Sequence, residues 1–272
     1  MSDEHPLSLE RIKYLRALKH DRLLVKLIRV FIFVVIMALW EVCTRNGMLD
    51  PFIFSSPTRI IKTVGSLFQT GNLLMHIWQT LWETILGFVI GTGLGVLIAM
   101  VLWWCPRAAK VLDPYLVILN SLPKIALGPV LIVWIGTGIS AIVTIAVLVS
   151  VIVSITSVST GFDSVPQEKL LLMRAFGANK LQMLMMVVLP SNIPTIISAL
   201  KLSVGLSWVG VIVGEFLISR AGLGYLIVYG GQVFKLDIVM TSVVILCTLA
   251  GMMYYLVSLM ERFVTRRRKY QG

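Results

Sequence analysis

An all-α integral membrane fold of about six transmembrane helices is predicted by three observations. Charge is scarce, apolar runs of span length recur, and Lys and Arg collect in alternate connectors. Of 272 residues, 57% are hydrophobic and 14% charged, and the mean hydropathy is +0.91, so too little polar surface exists to cover a soluble globule. Apolar runs at about 27–44, 78–104, 113–136, 139–160, 193–218 and 237–260 are each long enough to cross roughly 30 Å of hydrocarbon as a helix. Helices are required, because a sheet edge leaves backbone groups unsatisfied in lipid. Residues 1–272 are read as one transmembrane domain.

Each element has its own justification. The stretch 1–26 is polar and basic, and the first apolar run has no small-residue cleavage site after it, so that run is expected to remain as an anchor. In the second run, Gly87, Gly91 and Gly95 recur every four residues, on one face where a neighbouring helix can approach closely. Trp78, Trp82, Trp103 and Trp104 bracket that run as interface anchors. The third run is interrupted by Pro123 and Pro129 and carries Asn120, Ser121 and Lys124, as expected of a broken helix shielded by protein or water.

Residues 161–190 are too polar to cross a membrane, yet Leu170, Met173, Leu181, Leu184, Met185 and Val188 recur at helical spacing. Two short amphipathic helices are expected, separated by Gly177, Ala178 and Asn179, with Gly177 in a left-handed helix end. Pro190 is expected to stop the second, and Ser191 or Asn192 to cap the next span, with Pro194 in its first turn. Gly222 and Gly224 predict a tight turn in the 219–236 connector. Cys43, Cys105 and Cys247 are too dispersed for a metal pattern and read as packing residues.

Orientation follows from the basic residues. Seventeen Lys and Arg fall on the side of the termini, counting 161–190 and the basic tail 261–272, against five on the other, so both termini are expected to be cytoplasmic. The net charge of +11 then reports topology and attraction to anionic lipid, not nucleic-acid binding.

Intramembrane ionisable groups are functional candidates, since exposing one to lipid costs at least about 2.5 kcal/mol. Lys124 is placed either on a passage for an anion, with Asn120 and Ser121 offering hydrogen bonds, or in a pair with Glu215 or Glu83, or snorkelling to an interface. Trp208 and Glu215, seven residues apart, share nearly one helix face, with a path role and a packing role both open. Glu41 reads as a surface or pairing residue. His5, His20 and His76 fall outside the runs, and neither a metal cluster nor a nucleophile–base set is legible.

The pattern of Gly177, nine residues, Val187-Val188-Leu189-Pro190 resembles the signature loop of ATP-binding-cassette importer permeases, Glu-Ala-Ala, three residues, Gly, nine residues, Ile, one residue, Leu-Pro. Leu171, Leu172 and Met173 stand at the Glu-Ala-Ala positions, and Val187 replaces Ile. The segments Ser56-Pro57-Thr58, Gly87-Phe88, Asp113-Pro114, Leu122-Pro123 to Gly136, Trp208 to Glu215 and Gly222 to Ile227 are similar, in order, to the nitrate, sulfonate and taurine branch, which also includes bicarbonate permeases. Glu83 departs from it, standing where many relatives carry a basic residue.

That resemblance implies a type I importer permease fold, also called MetI-like, in the bacterial cytoplasmic membrane. It implies Arg174, Ala175, Phe176, Gly177, Leu189 and Pro190 as the coupling loop seated on a separate ATPase, and Trp208 and Glu215 on a helix that lines the passage. The expected partners are two ATPase subunits, a second permease copy, an extracytoplasmic substrate-binding protein and lipid, with no nucleic acid. No cofactor is expected in this chain: ATP and Mg would sit on the ATPase, because no G-x-x-x-x-G-K-[ST] loop is present. The implied cargo is a small anion such as nitrate, a sulfonate or taurine, moved by alternating access. The alternatives are an ion-coupled secondary transporter and a permease for a neutral vitamin precursor.

Overall fold

The computed structural model describes residues 9–70 and 72–269, in which helices joined by short turns account for the regular structure. The basic termini 1–26 and 261–272 extend past the described residues at 1–8, where His5 lies, and at 270–272. Among the described residues five helices are long and apolar enough to cross a membrane: Leu23–Arg45, Leu73–Trp104, Ile139–Asp163, Lys180–Ile218 and Leu236–Phe263. A sixth crossing arises if the bent pair Pro106–Ser121 and Lys124–Ile135, turned by 86°, counts as one span.

Helix α1 (Leu9–Arg45) presents its apolar span outward, so it needs lipid or another subunit as solvent. Two short helices follow, α2 (Pro51–Phe54) and α3 (Pro57–Gln69). Ser56 caps α3 by accepting from Arg59 N, and Pro57 occupies its first turn, where a missing N–H costs nothing. Glu41 takes the pairing role: it accepts from Thr58 N at 3.0 Å and Thr58 Oγ1 at 2.7 Å, and pairs with Arg45. Arg59 ties α3 to the last helix through Asp237 at 2.7 Å.

The centre of the bundle is α7 (Ile139–Asp163), packed between α4 (Leu73–Trp104) and α10 (Leu189–Ile218). The glycine stripe explains the closeness. A Cβ on Gly87, Gly91 or Gly95 would stand 2.6, 2.1 or 2.3 Å from Ala146, Ser150 or Ser154 respectively, so α4 and α7 meet through two matched rows of small residues. Gly210 of α10 approaches the Ala146 backbone in the same way, and Ser154 and Ser203 share a hydroxyl hydrogen bond of 2.8 Å.

The third run differs in its bounds. It begins with α5 (Pro106–Ser121), turns through a 3₁₀ segment at Lys124–Leu127 and continues as α6 (Gly128–Ile135). Pro123 lacks an N–H to continue α5, which is why the chain turns there.

Residues 161–190 form α8 (Gln167–Ala175) and a second helix that does not stop at Pro190. The second begins as α9 (Lys180–Met183), passes through a π-turn at Leu184–Val188 and runs without a break into α10, giving a 39-residue helix from Lys180 to Ile218. Leu189 N reaches back five residues to Leu184 O, and this widened turn makes room for the Pro190 ring and its missing donor. Pro194 is likewise interior, and Asn192 is a buried helix residue donating to Val188 O, not a cap. Met183, Leu184, Val188 and Leu170 pack against Ala99, Val158 and Phe162, whereas Leu181 and Met185 face outward.

The 219–236 connector also contains structure, helix α11 (Leu223–Gln232), before α12 (Leu236–Lys269) closes the fold. Cys43 is half-buried and Cys105 and Cys247 are exposed, all as free thiols.

Candidate coupling and translocation sites

One end of the bundle carries a compact polar elbow between α8 and α9. Gly177 has φ +77° and ends α8 in a Schellman motif: Ala178 N donates to Met173 O at 3.0 Å, and Gly177 N to Arg174 O at 2.9 Å. Asn179 then starts α9 with a capping box, accepting from Gln182 N while Gln182 Oε1 accepts from Asn179 N, both at 2.8 Å. Lys180 reaches Trp104 O at 3.3 Å, tying the elbow to the end of α4. The result is a stiff corner that exposes an apolar face: Leu171, Leu172 and Phe176 are solvent-facing, Phe176 at 80%.

Four of the six predicted coupling residues lie together on this corner, Arg174, Ala175, Phe176 and Gly177, all exposed. Leu189 and Pro190 lie further along, half-buried in the continuous helix. The α9 segment, the π-turn and α10 form one continuous helix that starts at this corner.

The predicted path residues fall into separate places. Lys124 and Asn120 come together at the bend, the Lys124 ammonium donating to Asn120 O at 3.1 Å and to Asn120 Oδ1 at 3.4 Å, and neither Glu215 nor Glu83 is its partner. Ser121 bonds only locally, to Val117 O. Asn120 and Ser121 are exposed and Lys124 is half-buried. Trp208 is buried with Val204 and Val257 between α10 and α12, with its indole N–H unpaired.

Glu215 is buried at the other end of α10, and there the sequence reading is incomplete. Helix α11 starts at Gly222, which has no side chain to cap it, so other helices supply the acceptors. His76 Nδ1 accepts from Gly222 N at 2.9 Å, Thr80 Oγ1 from Leu223 N at 2.8 Å and Glu215 Oε2 from Gly224 N at 2.6 Å. Thr80 also donates to Glu215 Oε1 at 2.7 Å. His76 therefore lies inside α4, buried and stacked on Tyr225, not outside the spans. The signal that was legible is spacing: His76, Thr80 and Glu83 sit four and three residues apart, polar groups on one face of an apolar helix.

A helical bundle with five helices long and apolar enough to cross a membrane among its described residues, its longest helix running from an exposed corner to a buried polar clasp, has the architecture of an integral membrane subunit. Residues 91–270 match the family of binding-protein-dependent transport system inner membrane components, and the chain belongs to that family. Curated relatives agree. The chain is 29% identical over 85% of its length to an ABC transporter permease protein of Haemophilus influenzae, spanning 94% of it. It is 29% identical over 88% of its length to the aliphatic sulfonates transport permease protein SsuC of Bacillus subtilis, spanning 87% of it. With the formylaminopyrimidine transport permease protein ThiX of Halalkalibacterium halodurans it shares 28% identity over 71% of its length and 76% of that protein.

Solved structures share the fold. One is the MetNI methionine ABC transporter in inward-facing conformations, with TM-score 0.64 and 19% identity over 72% of this chain and 97% of that one. Another is a bacterial ABC transporter for import of the acidic polysaccharide alginate, with TM-score 0.64 and 16% identity over 93% and 99%. The type I importer permease fold expected from the sequence is thus the fold observed, and the family match sets the ion-coupled alternative aside.

Proposed function

We propose that two copies of this chain form the passage of an importer for a small anion, such as nitrate, a sulfonate or taurine. Two ATPase subunits bind ATP and Mg, and an extracytoplasmic protein delivers the cargo. Both termini and the elbow face the cytoplasm, on the seventeen-to-five division of basic residues. The observation that carries this reading is the α8–α9 elbow: a doubly capped corner with an exposed apolar face, continuous with α10. Closure of the ATPase pair against Arg174 to Gly177 swings α10 and alternates access to the passage.

Half-buried Lys124 with exposed Asn120 and Ser121 at the bend offers an anion a cation and hydrogen bonds on its way. Trp208 and Glu215 act by holding α10 against its neighbours. Likeness to a sulfonate permease supports an anionic cargo, and likeness to a formylaminopyrimidine permease supports a second reading, a neutral vitamin precursor.

The test is purification. The chain isolated by itself hydrolyses no ATP, and affinity isolation from native membranes recovers an ATPase subunit with it. Hydrolysis by the contaminant-free chain, or recovery without any ATPase, overturns the proposal.

A further inference from the structure

Helix α11 begins without a side-chain cap of its own, and one of the acceptors that hold its first turn is an imidazole. A ring nitrogen accepts only through a free lone pair, so Nδ1 of His76 carries no proton while Gly222 N–H points at it from 2.9 Å. The ring is 6% exposed and stacked on Tyr225 at 5.8 Å. Turning it over would present Cδ2–H to Gly222, so no orientation of a doubly protonated ring restores the bond. A proton on Nδ1 sets two donors against each other, and the clasp and the imidazolium exclude one another.

The neighbours supply no replacement acceptor and no ion pair. On α4 itself Glu83 takes its bond from Gln79, and on α10 Glu215 has both oxygens engaged by Thr80 and Gly224, with its carboxyl against that of Glu83. Helix α11 brings Tyr225 and, stacked behind it, Tyr229. The connector brings Arg220 and Lys235, both exposed and of the same sign as an imidazolium. Helix α3 brings Arg59, paired with Asp237 of α12, and exposed Lys62. Lys110 and Asp113 of α5 and Asp163 of α7 lie at the elbow end of the bundle. Among the described residues no ion pair includes His76.

We propose that His76 is a proton-operated latch on α11, closed while the ring is neutral and released when the compartment on the side away from the elbow turns acidic. Thr80 and Glu215 hold only the next two amides, Leu223 N and Gly224 N. Losing the Gly222 anchor therefore lets the turn before α11 lift and opens the seat of Leu223. The latch belongs to the fold of the chain and goes beyond the choice of cargo.

The experiment measures how readily a buried thiol at the latch is reached, in membrane vesicles carrying the full chain with Cys43, Cys105 and Cys247 replaced. Leu223→Cys reports opening, since Leu223 is fully buried, and exposed Asn72→Cys at the same end reports the pH dependence of the thiol reagent itself. Between about pH 7.5 and about pH 5 the ratio of the two reactivities is expected to rise about tenfold, because clasp and proton compete for one nitrogen. His76→Asn keeps an acceptor, the amide Oδ1, where Nδ1 stood, but does not titrate, and its ratio is expected to stay low and flat. A flat ratio in the parent, or an acid response retained in His76→Asn, overturns the proposal. Should His76→Asn be open at every pH or fail to assemble, deuterium exchange at the C2 carbon of His76 in the parent decides. Its titration midpoint is expected to coincide with that of thiol opening, and a separation of more than about one pH unit overturns the latch. The measurement uses neither ATP nor cargo, so a negative result leaves the importer reading intact.

Discussion

Glu215 Oε2 accepts the backbone N–H of Gly224 at 2.6 Å, and a Cβ on Gly224 would stand 2.7 Å from the same oxygen. The carboxyl of one helix is thus the cap of another, and the glycines around it are there to let it in. The fit is tighter still at Gly222, where φ is +111° and a Cβ would lie 2.3 Å from Glu215 Oε1.

Gly222→Ala is therefore expected to lower stability by about 2 kcal/mol or more, through backbone strain and displacement of the Glu215 carboxyl. Thermal unfolding of the purified chain in detergent reads the loss. An unchanged midpoint would show that the clasp relaxes without cost.

The α4–α7 contact makes a paired prediction. Gly91→Val drives two methyl groups into Ser150 and is expected to destabilise by about 1–3 kcal/mol, while Gly93→Ala, with nothing within 4 Å of its Cβ position, is expected to be neutral. Equal behaviour of the two variants in unfolding assays would refute close packing as the role of the stripe.

At the elbow, Gly177 has a left-handed backbone but open space around its Cβ position, so Gly177→Val introduces strain of about 1–2 kcal/mol without a clash. Assembly by size-exclusion chromatography is expected to persist. Binding-protein-stimulated ATP hydrolysis in reconstituted vesicles is expected to fall sharply as the corner tilts. Full stimulated activity would separate this corner from coupling.

Sidedness is testable at two exposed positions. Ser164 follows α7 and Asn72 precedes α4. An impermeant thiol reagent applied to intact cells is expected to label Asn72→Cys and not Ser164→Cys, and the reverse pattern would invert the assigned topology. The native thiols Cys43, Cys105 and Cys247 are replaced first, because Cys105 and Cys247 are exposed.

What the sequence determined by itself is whatever local physics can carry. Apolar length located the spans, the spacing of Gly87, Gly91 and Gly95 marked a packing face, and Gly177 marked a left-handed helix end. Ordered motifs brought the family into view. The tertiary structure decided what depends on partners far along the chain. Pro190 reads as a stop because a proline breaks an ordinary helical hydrogen bond, but packing of Met183, Leu184 and Val188 against α4 and α7 holds a π-turn that carries the helix through. His76 reads as a connector residue because it lies just before the apolar run at 78–104, and only the arrival of Gly222, 146 positions away, gives its ring a donor and a buried place. Glu83 and Glu215 are 132 positions apart, and their carboxyls meet only because α4 and α10 close against α7. Periodicity is written in consecutive residues; a shared acceptor or a buried contact is set by the folded path of the chain.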